Sequence, residues 1–154
     1  SVTSYLPYEK GVYFSEEAEA ANISVGAERQ RHYRAVVALK KNPSEVNLWK
    51  CVVDFRGYKF KTLSGLPFTY TLKKGRGDEF TKELWIDRRE DSKSLAWSSV
   101  TLAYHNISKI GEIVDRPKAL GDIRGVSYIY GLFYRFGLID VPDKAKEKMG
   151  GKEY

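Results

Sequence analysis

The chain has 154 residues, a formal net charge of +6, and 42% hydrophobic against 30% charged residues. That balance excludes a disordered or fibrous class and implies a packed core, since a chain of this size buries roughly 68–70% of its unfolded surface. One cysteine excludes an internal disulfide framework, and no apolar run approaches the ~20 residues that cross a bilayer. The longest such run, 126–139, is interrupted by Arg135.

The departure from ordinary composition is the 14% aromatic content, to which eleven tyrosines contribute most. Tyrosine carries an apolar ring and a hydroxyl that needs a partner, so it gathers at core edges and at interfaces. The positive charge permits attraction to nucleic acid or to an acidic partner, although it is spread along the chain rather than concentrated. The opening SVTSYLPYEK lacks the order of a secretory signal, and an initial serine suits one domain of a longer protein. A nuclear or cytoplasmic setting is expected.

In chain order, residues 1–14 show no period and read as an extended arm. Ser15 before EEAEAA opens a short helix. Ser24 caps a second one that Asn42–Pro43 stops, with Tyr33, Val36, Val37 and Lys40 at helical spacing. Pro43–Ser44–Glu45 opens a further helix with Val46, Trp49 and Val53 aligned, and Gly57 supplies its left-handed end. Strands over 33–39 and 46–55 are the competing readings.

From Tyr58 the period changes to two. Tyr58, Phe60 and Thr62 alternate with polar neighbours, SGLP turns, Phe68, Tyr70 and Leu72 alternate again, and KKGRGD turns into a third strand, FTKELWID. These segments predict an antiparallel three-stranded meander. Ser92 or Ser94 then caps a helix with Trp97, Val100, Tyr104 and Ile107 on one stripe, ended by Gly111.

After a linker containing Pro117, the last helix runs from about Asp122 to Phe136 on a Val126, Ile129, Tyr130, Phe133 stripe. Gly137 ends it in a Schellman-type cap. The expected class is α+β, a small three-stranded meander packed against several helices, with a winged-helix-like variant. The expected organisation is an arm at 1–14, one domain at 15–142 and a charged flexible tail at 143–154.

Catalysis has little support. His32 and His105 are the only histidines, neither stands at metal-ligand spacing, and no nucleophile or phosphate-loop motif occurs, so no enzyme, metal or cofactor is expected. Cys51, within WKCVVDF, reads as an inert buried thiol.

Two non-enzymatic functions remain. The first is a nucleic-acid-binding or chromatin-associated module. Arg88, Arg89 and Lys93 before one helix, and Lys118 and Arg124 near the start of the next, would bring cations and two helix N-termini to the phosphate backbone if those starts lie together. Lys73, Lys74 and Arg76 on the hairpin tip would join them. The alternative is a protein-interaction domain of a larger regulatory assembly, using an aromatic-rich face on which Tyr128 and Tyr134 stay exposed, with homodimerisation as a variant. Neither reading involves a membrane.

Overall fold

The computed structural model describes residues 16–87 and 94–151, with side chains within the first helix from Gly26 onward. The expected arm at 1–14 lies outside the described residues. Contacts divide the chain into two compact units, Ser1–Asp54 and Phe55–Tyr154, where the sequence reading had a single domain.

The first unit holds two packed helices, α1 (Glu16–Lys41) and α2 (Glu45–Asp54). The short helix expected after Ser15 and the second one expected from Ser24 are one continuous helix. Its buried stripe is His32, Ala35, Val36 and Leu39, at i, i+3, i+4 and i+7, whereas Tyr33 is 48% exposed. The expected stripe is one residue out of phase, because side-chain size and hydropathy favour Tyr33 and Val37 over His32 and Ala35.

In α2 the same correction applies: Leu48, Cys51 and Val52 are buried and Val46 is exposed. Ser44 caps α2 by accepting the Asn47 N–H at 3.1 Å, and Asn47 Nδ2 donates to the Asn42 carbonyl at 2.9 Å. The α1–α2 turn is thereby pinned. Burial drives the Cys51 thiol up to about 12, with Asp54 adding to the shift, so the inert reading of this cysteine fits its surroundings.

Among its described residues the second unit carries five short strands: β1 (Phe60–Lys61), β2 (Pro67–Phe68), β3 (Tyr70–Thr71), β4 (Glu83–Ile86) and β5 (Ser94–Ala96). β1 pairs with β2 alone, and the three-stranded antiparallel sheet is β3–β4–β5, with Tyr70 opposite Ile86 and Leu84 opposite Leu95. The α+β class stands, but the meander is differently built. The ladder breaks at Thr69, and the third strand of the sheet is the serine-led stretch expected to be a helix cap.

Helix α3 (Trp97–Asn106) follows β5 directly, buries Val100 and Ala103, and leaves Leu102 exposed. It ends in a 3-10 turn over Ile107–Lys109, before the expected Gly111 stop. Helix α4 (Val126–Arg135) is the centre of the unit: Val126 and every residue from Ile129 to Phe136 are buried. A helix apolar on nearly every side belongs inside a core rather than along its edge, so the single expected stripe understates it.

The expected C-terminal cap does form. Leu138 N–H donates to the Phe133 carbonyl at 2.9 Å and Gly137 N–H to Tyr134 at 3.1 Å, and Gly137 takes φ +78, which a side-chain-bearing residue adopts only under strain. Around α4 gather Phe55, Phe60, Phe68, Tyr70, Leu84, Leu95 and Phe136, all at most 2% exposed.

Residues 143–149, expected as a flexible tail, form helix α5 (Asp143–Met149). Ala145 and Met149 are buried, and the Tyr134 hydroxyl donates to the Gly150 carbonyl at 2.9 Å. Charge density concealed this helix, because only two of its side chains need to be apolar for it to dock.

Tyr130 is fully buried, and its hydroxyl donates to the Val114 carbonyl. Burial, with Asp115 and Asp140 adding to it, raises this phenol to about 12. A folded-state value above the unfolded one favours the protonated folded protein, so Tyr130 contributes stability below pH ~10 that is lost as pH rises from ~10 through ~12. Tyr130→Phe strands the Val114 carbonyl and is expected to cost about 1–3 kcal/mol at neutral pH. Urea denaturation read at pH 7 and pH 11 checks both effects, and the deficit of the variant should narrow at the higher pH.

Candidate functional site

The start of α4 is built from local chain geometry. Pro117 opens a 3-10 turn over Pro117–Leu120, and Asn106 Nδ2 donates to the Leu120 carbonyl at 2.8 Å, tying the end of α3 to the connector. Gly125 caps α4 at φ +79 without a side-chain cap bond. A Cβ there would lie 2.6 Å from Leu95 Cδ1. α4 therefore begins against Leu95 of β5, the strand that runs straight into α3.

Beside this helix start lies an open groove of about 750 Å³. Its apolar wall is Leu63, Leu66, Pro117, Ile123, Val126 and Tyr128, and its polar groups are Thr62, Ser64, Ser127 and Lys148. Lys118 and Arg124 are exposed and adjoin lining residues Pro117, Ile123 and Gly125. No carboxylate is among the described residues lining the groove. Lys148 was missed from sequence because it sits in the segment read as a tail.

The other sequence-predicted cations divide into two groups. Arg88, Arg89 and Lys93 lie outside the described residues. Lys73, Lys74 and Arg76 are exposed on the β3–β4 hairpin, whose tip closes through Gly75 N–H donating to the Glu79 carbonyl at 2.8 Å.

Aromatic rings support the hairpin cations. Lys73 Nζ lies 3.6 Å from the Trp85 ring centre, and Phe80 receives Arg56 at 5.1 Å and Lys74 at 5.8 Å. Lys82 approaches Trp97 at 5.9 Å. Such stacking lays the aliphatic stems on apolar surface and keeps the charged heads outside. Lys74 also pairs with Asp78 at 3.3 Å, an exposed contact that contributes little. Arg56 and Lys82 join this patch only through tertiary contacts; nothing in their sequence neighbourhood marks them.

The two tyrosines named for partner contact part company. Tyr128 is half-buried in the groove wall, its ring edge-on to Phe68 at 5.0 Å. Tyr134 is 5% exposed and anchors the end of α5, and burial raises its phenol, so the expectation that it stays exposed is corrected. His105 is exposed on α3, and His32 is buried with Nε2 3.9 Å from Glu28. Among the described residues no three His, Cys, Asp or Glu side chains form a group able to hold a metal ion.

The second unit is thus an α+β assembly of helices on a small antiparallel sheet, with a largely apolar groove lined in part by Lys148 at the start of its central helix. No family model matches the chain, and neither a curated protein nor a solved structure resembles it. No helix among the described residues is long and apolar enough to cross a membrane.

Proposed function

We propose that this chain is a non-enzymatic nucleic-acid-binding module, of a chromatin-associated or regulatory kind, that meets the phosphate backbone at the start of α4. The observation that carries the reading is the groove there. Lys148 stands in its wall, Lys118 and Arg124 adjoin it, the described lining holds no carboxylate, and the α4 N-terminus has no side-chain cap. Phosphates suit such a place, since lysine and arginine side chains and the positive end of the α4 dipole both favour negative charge. The hairpin cations Lys73, Lys74 and Arg76 form a second basic surface for the same backbone.

The test is affinity for duplex and single-stranded oligonucleotides measured across salt concentration. Each neutralised phosphate releases counterions, so replacing Lys118, Arg124 and Lys148 together by Gln should reduce the slope of log K against log salt by about 3. Binding that ignores salt, or an unchanged slope in the triple variant, would overturn the proposal.

A second reading is favoured by the apolar wall: Leu66 is 48% exposed beside Leu63, Pro117 and Tyr128, which suits a protein segment of a larger assembly or a second copy of the chain. Leu66→Ser with Tyr128→Ser would then weaken complex formation while leaving salt dependence intact.

A further inference from the structure

The groove at the start of α4 is largely apolar, and a phosphate backbone by itself has no use for an apolar wall. The groove volume of about 750 Å³ lies in the range of ligand pockets, roughly 300–1,000 Å³, and Lys148 is the one charged side chain among its described lining residues. We propose that its ligand is a single-stranded nucleic acid, with one unpaired base seated in the groove against Tyr128 and a neighbouring phosphate at Lys148. The proposal rests on the nucleic-acid reading above and narrows the ligand from any phosphate backbone to a strand with free bases.

Tyr128 supplies the platform. It is half-buried, and its ring lies 5.0 Å from that of Phe68 at an interplanar angle of 69°, with Phe68 itself 1% exposed. One edge-to-face contact on a buried ring fixes the tilt of Tyr128 and covers at most one of its faces. Neither the Tyr128 hydroxyl, Ser127 Oγ nor Lys148 Nζ makes a hydrogen bond or ion pair with another described residue, and all three residues line the groove. The Ser64 and Ser127 hydroxyls, each a donor and an acceptor, can meet a base edge.

The groove is held open by its own frame. Thr62 Oγ1 accepts the Leu66 N–H at 3.2 Å, which closes the turn carrying Leu63 and Leu66. A Cβ on Gly65 would lie 3.2 Å from the Lys148 carbonyl oxygen, so this turn sits directly on the end of α5. The apolar wall and the lysine are thus fixed relative to each other before a ligand arrives, which lowers the cost of ordering on binding.

These features select against a duplex. Paired bases are stacked inside the double helix, so a duplex could offer this groove only its backbone. Single strands splay their bases out and stack them on aromatic rings while cations track the phosphates.

The experiment is fluorescence anisotropy on the full chain with three labelled probes: a short oligothymidylate, the same strand with its bases replaced by abasic sites, and a duplex of the same length. The oligothymidylate should bind more tightly than the duplex, and about tenfold more tightly than the abasic strand. Tyr128→Ala should weaken oligothymidylate binding about tenfold, leave the abasic strand unaffected and keep the salt slope unchanged, because no phosphate contact is lost. Lys148→Gln should instead lower that slope by about 1. If Tyr128→Ala fails to fold, the comparison of the three probes on the unaltered chain decides. A duplex bound as tightly as the strand, or an abasic strand bound as tightly as oligothymidylate, overturns the proposal and leaves the nucleic-acid reading standing. Absence of binding to all three probes overturns both and leaves the groove to a protein segment.

Discussion

Replacing Phe60 with alanine is expected to destabilise the second unit by about 3–5 kcal/mol, the range for removing a buried aromatic ring from a core that cannot collapse around the loss. Phe60 is 2% exposed, and its ring lies 4.8 Å from Tyr58, 5.6 Å from Phe68, 5.7 Å from Tyr70 and 6.0 Å from both Phe55 and Phe136. These partners come from the chain before β1, from β2, from β3 and from the residue after α4. One ring thus joins the two-stranded ladder, the sheet and the central helix. With β1 only two residues long, backbone pairing cannot hold that strand in place once the ring is gone. Because domains are stable by only about 5–15 kcal/mol, the loss should appear as a large fall in urea midpoint. A loss below about 1 kcal/mol would mean that the aromatic cluster is not the keystone described here.

Gly131→Ala supplies the second large effect, and its sign is decided by competing terms. Alanine is favoured over glycine inside a helix by about 1 kcal/mol. Against this, the new Cβ would stand 2.6 Å from the Lys61 carbonyl oxygen, which is backbone, and 3.1 Å and 3.2 Å from atoms of the Phe68 ring, which is 1% exposed. Neither neighbour is a flexible side-chain end. Relief requires prising β1 from α4, and overpacking of that kind costs about 1–3 kcal/mol, with Gly131→Val at or beyond the upper end. Subtracting the helix term leaves a net destabilisation of about 0–2 kcal/mol for alanine, toward the upper end because both neighbours are rigid. Gly26→Ala is the control: it also lies within a helix, has nothing within 4 Å of the added Cβ, and should be neutral or stabilising. Thermal or urea denaturation of both variants reads the difference directly. Equal behaviour of the two would contradict the close approach of α4 and β1.

Much of this architecture was legible in the residues, because the features concerned are local. Helical spacing marked α2 and α4, the change to period two marked the strands after Tyr58, and the glycines at 57 and 137 marked left-handed chain reversals, both of which form. Such signals arise from backbone sterics and hydrogen bonds spanning at most a few residues, so a linear reading contains them.

Other features depend on distant partners. Ser94–Ala96 reads as a helix cap until Glu83–Trp85 lies beside it to complete a ladder. Residues 143–149 read as a solvated tail until Ala145 and Met149 find a surface and Tyr134 reaches Gly150. The expected stripes in α1 and α2 favoured the bulkiest residues, and the true buried faces include His32, Ala35 and Cys51 instead. Which face of a helix is covered depends on the shape of its neighbour, not on hydrophobicity alone.

The candidate sites show the same division. Lys118 and Arg124 could be named from their place before a helix, but Lys148 enters the groove only because α5 docks, and Arg135 reads in sequence only as an interruption of an apolar run. The sequence by itself determined an α+β chain with its turns, its period changes and an aromatic-rich central helix, all consequences of short-range backbone chemistry. Tertiary structure alone decided which strands pair, which helix faces are covered and which cation lines the groove, because those depend on long-range contacts that bring residues such as Tyr58 and Arg135 together across 77 positions of chain.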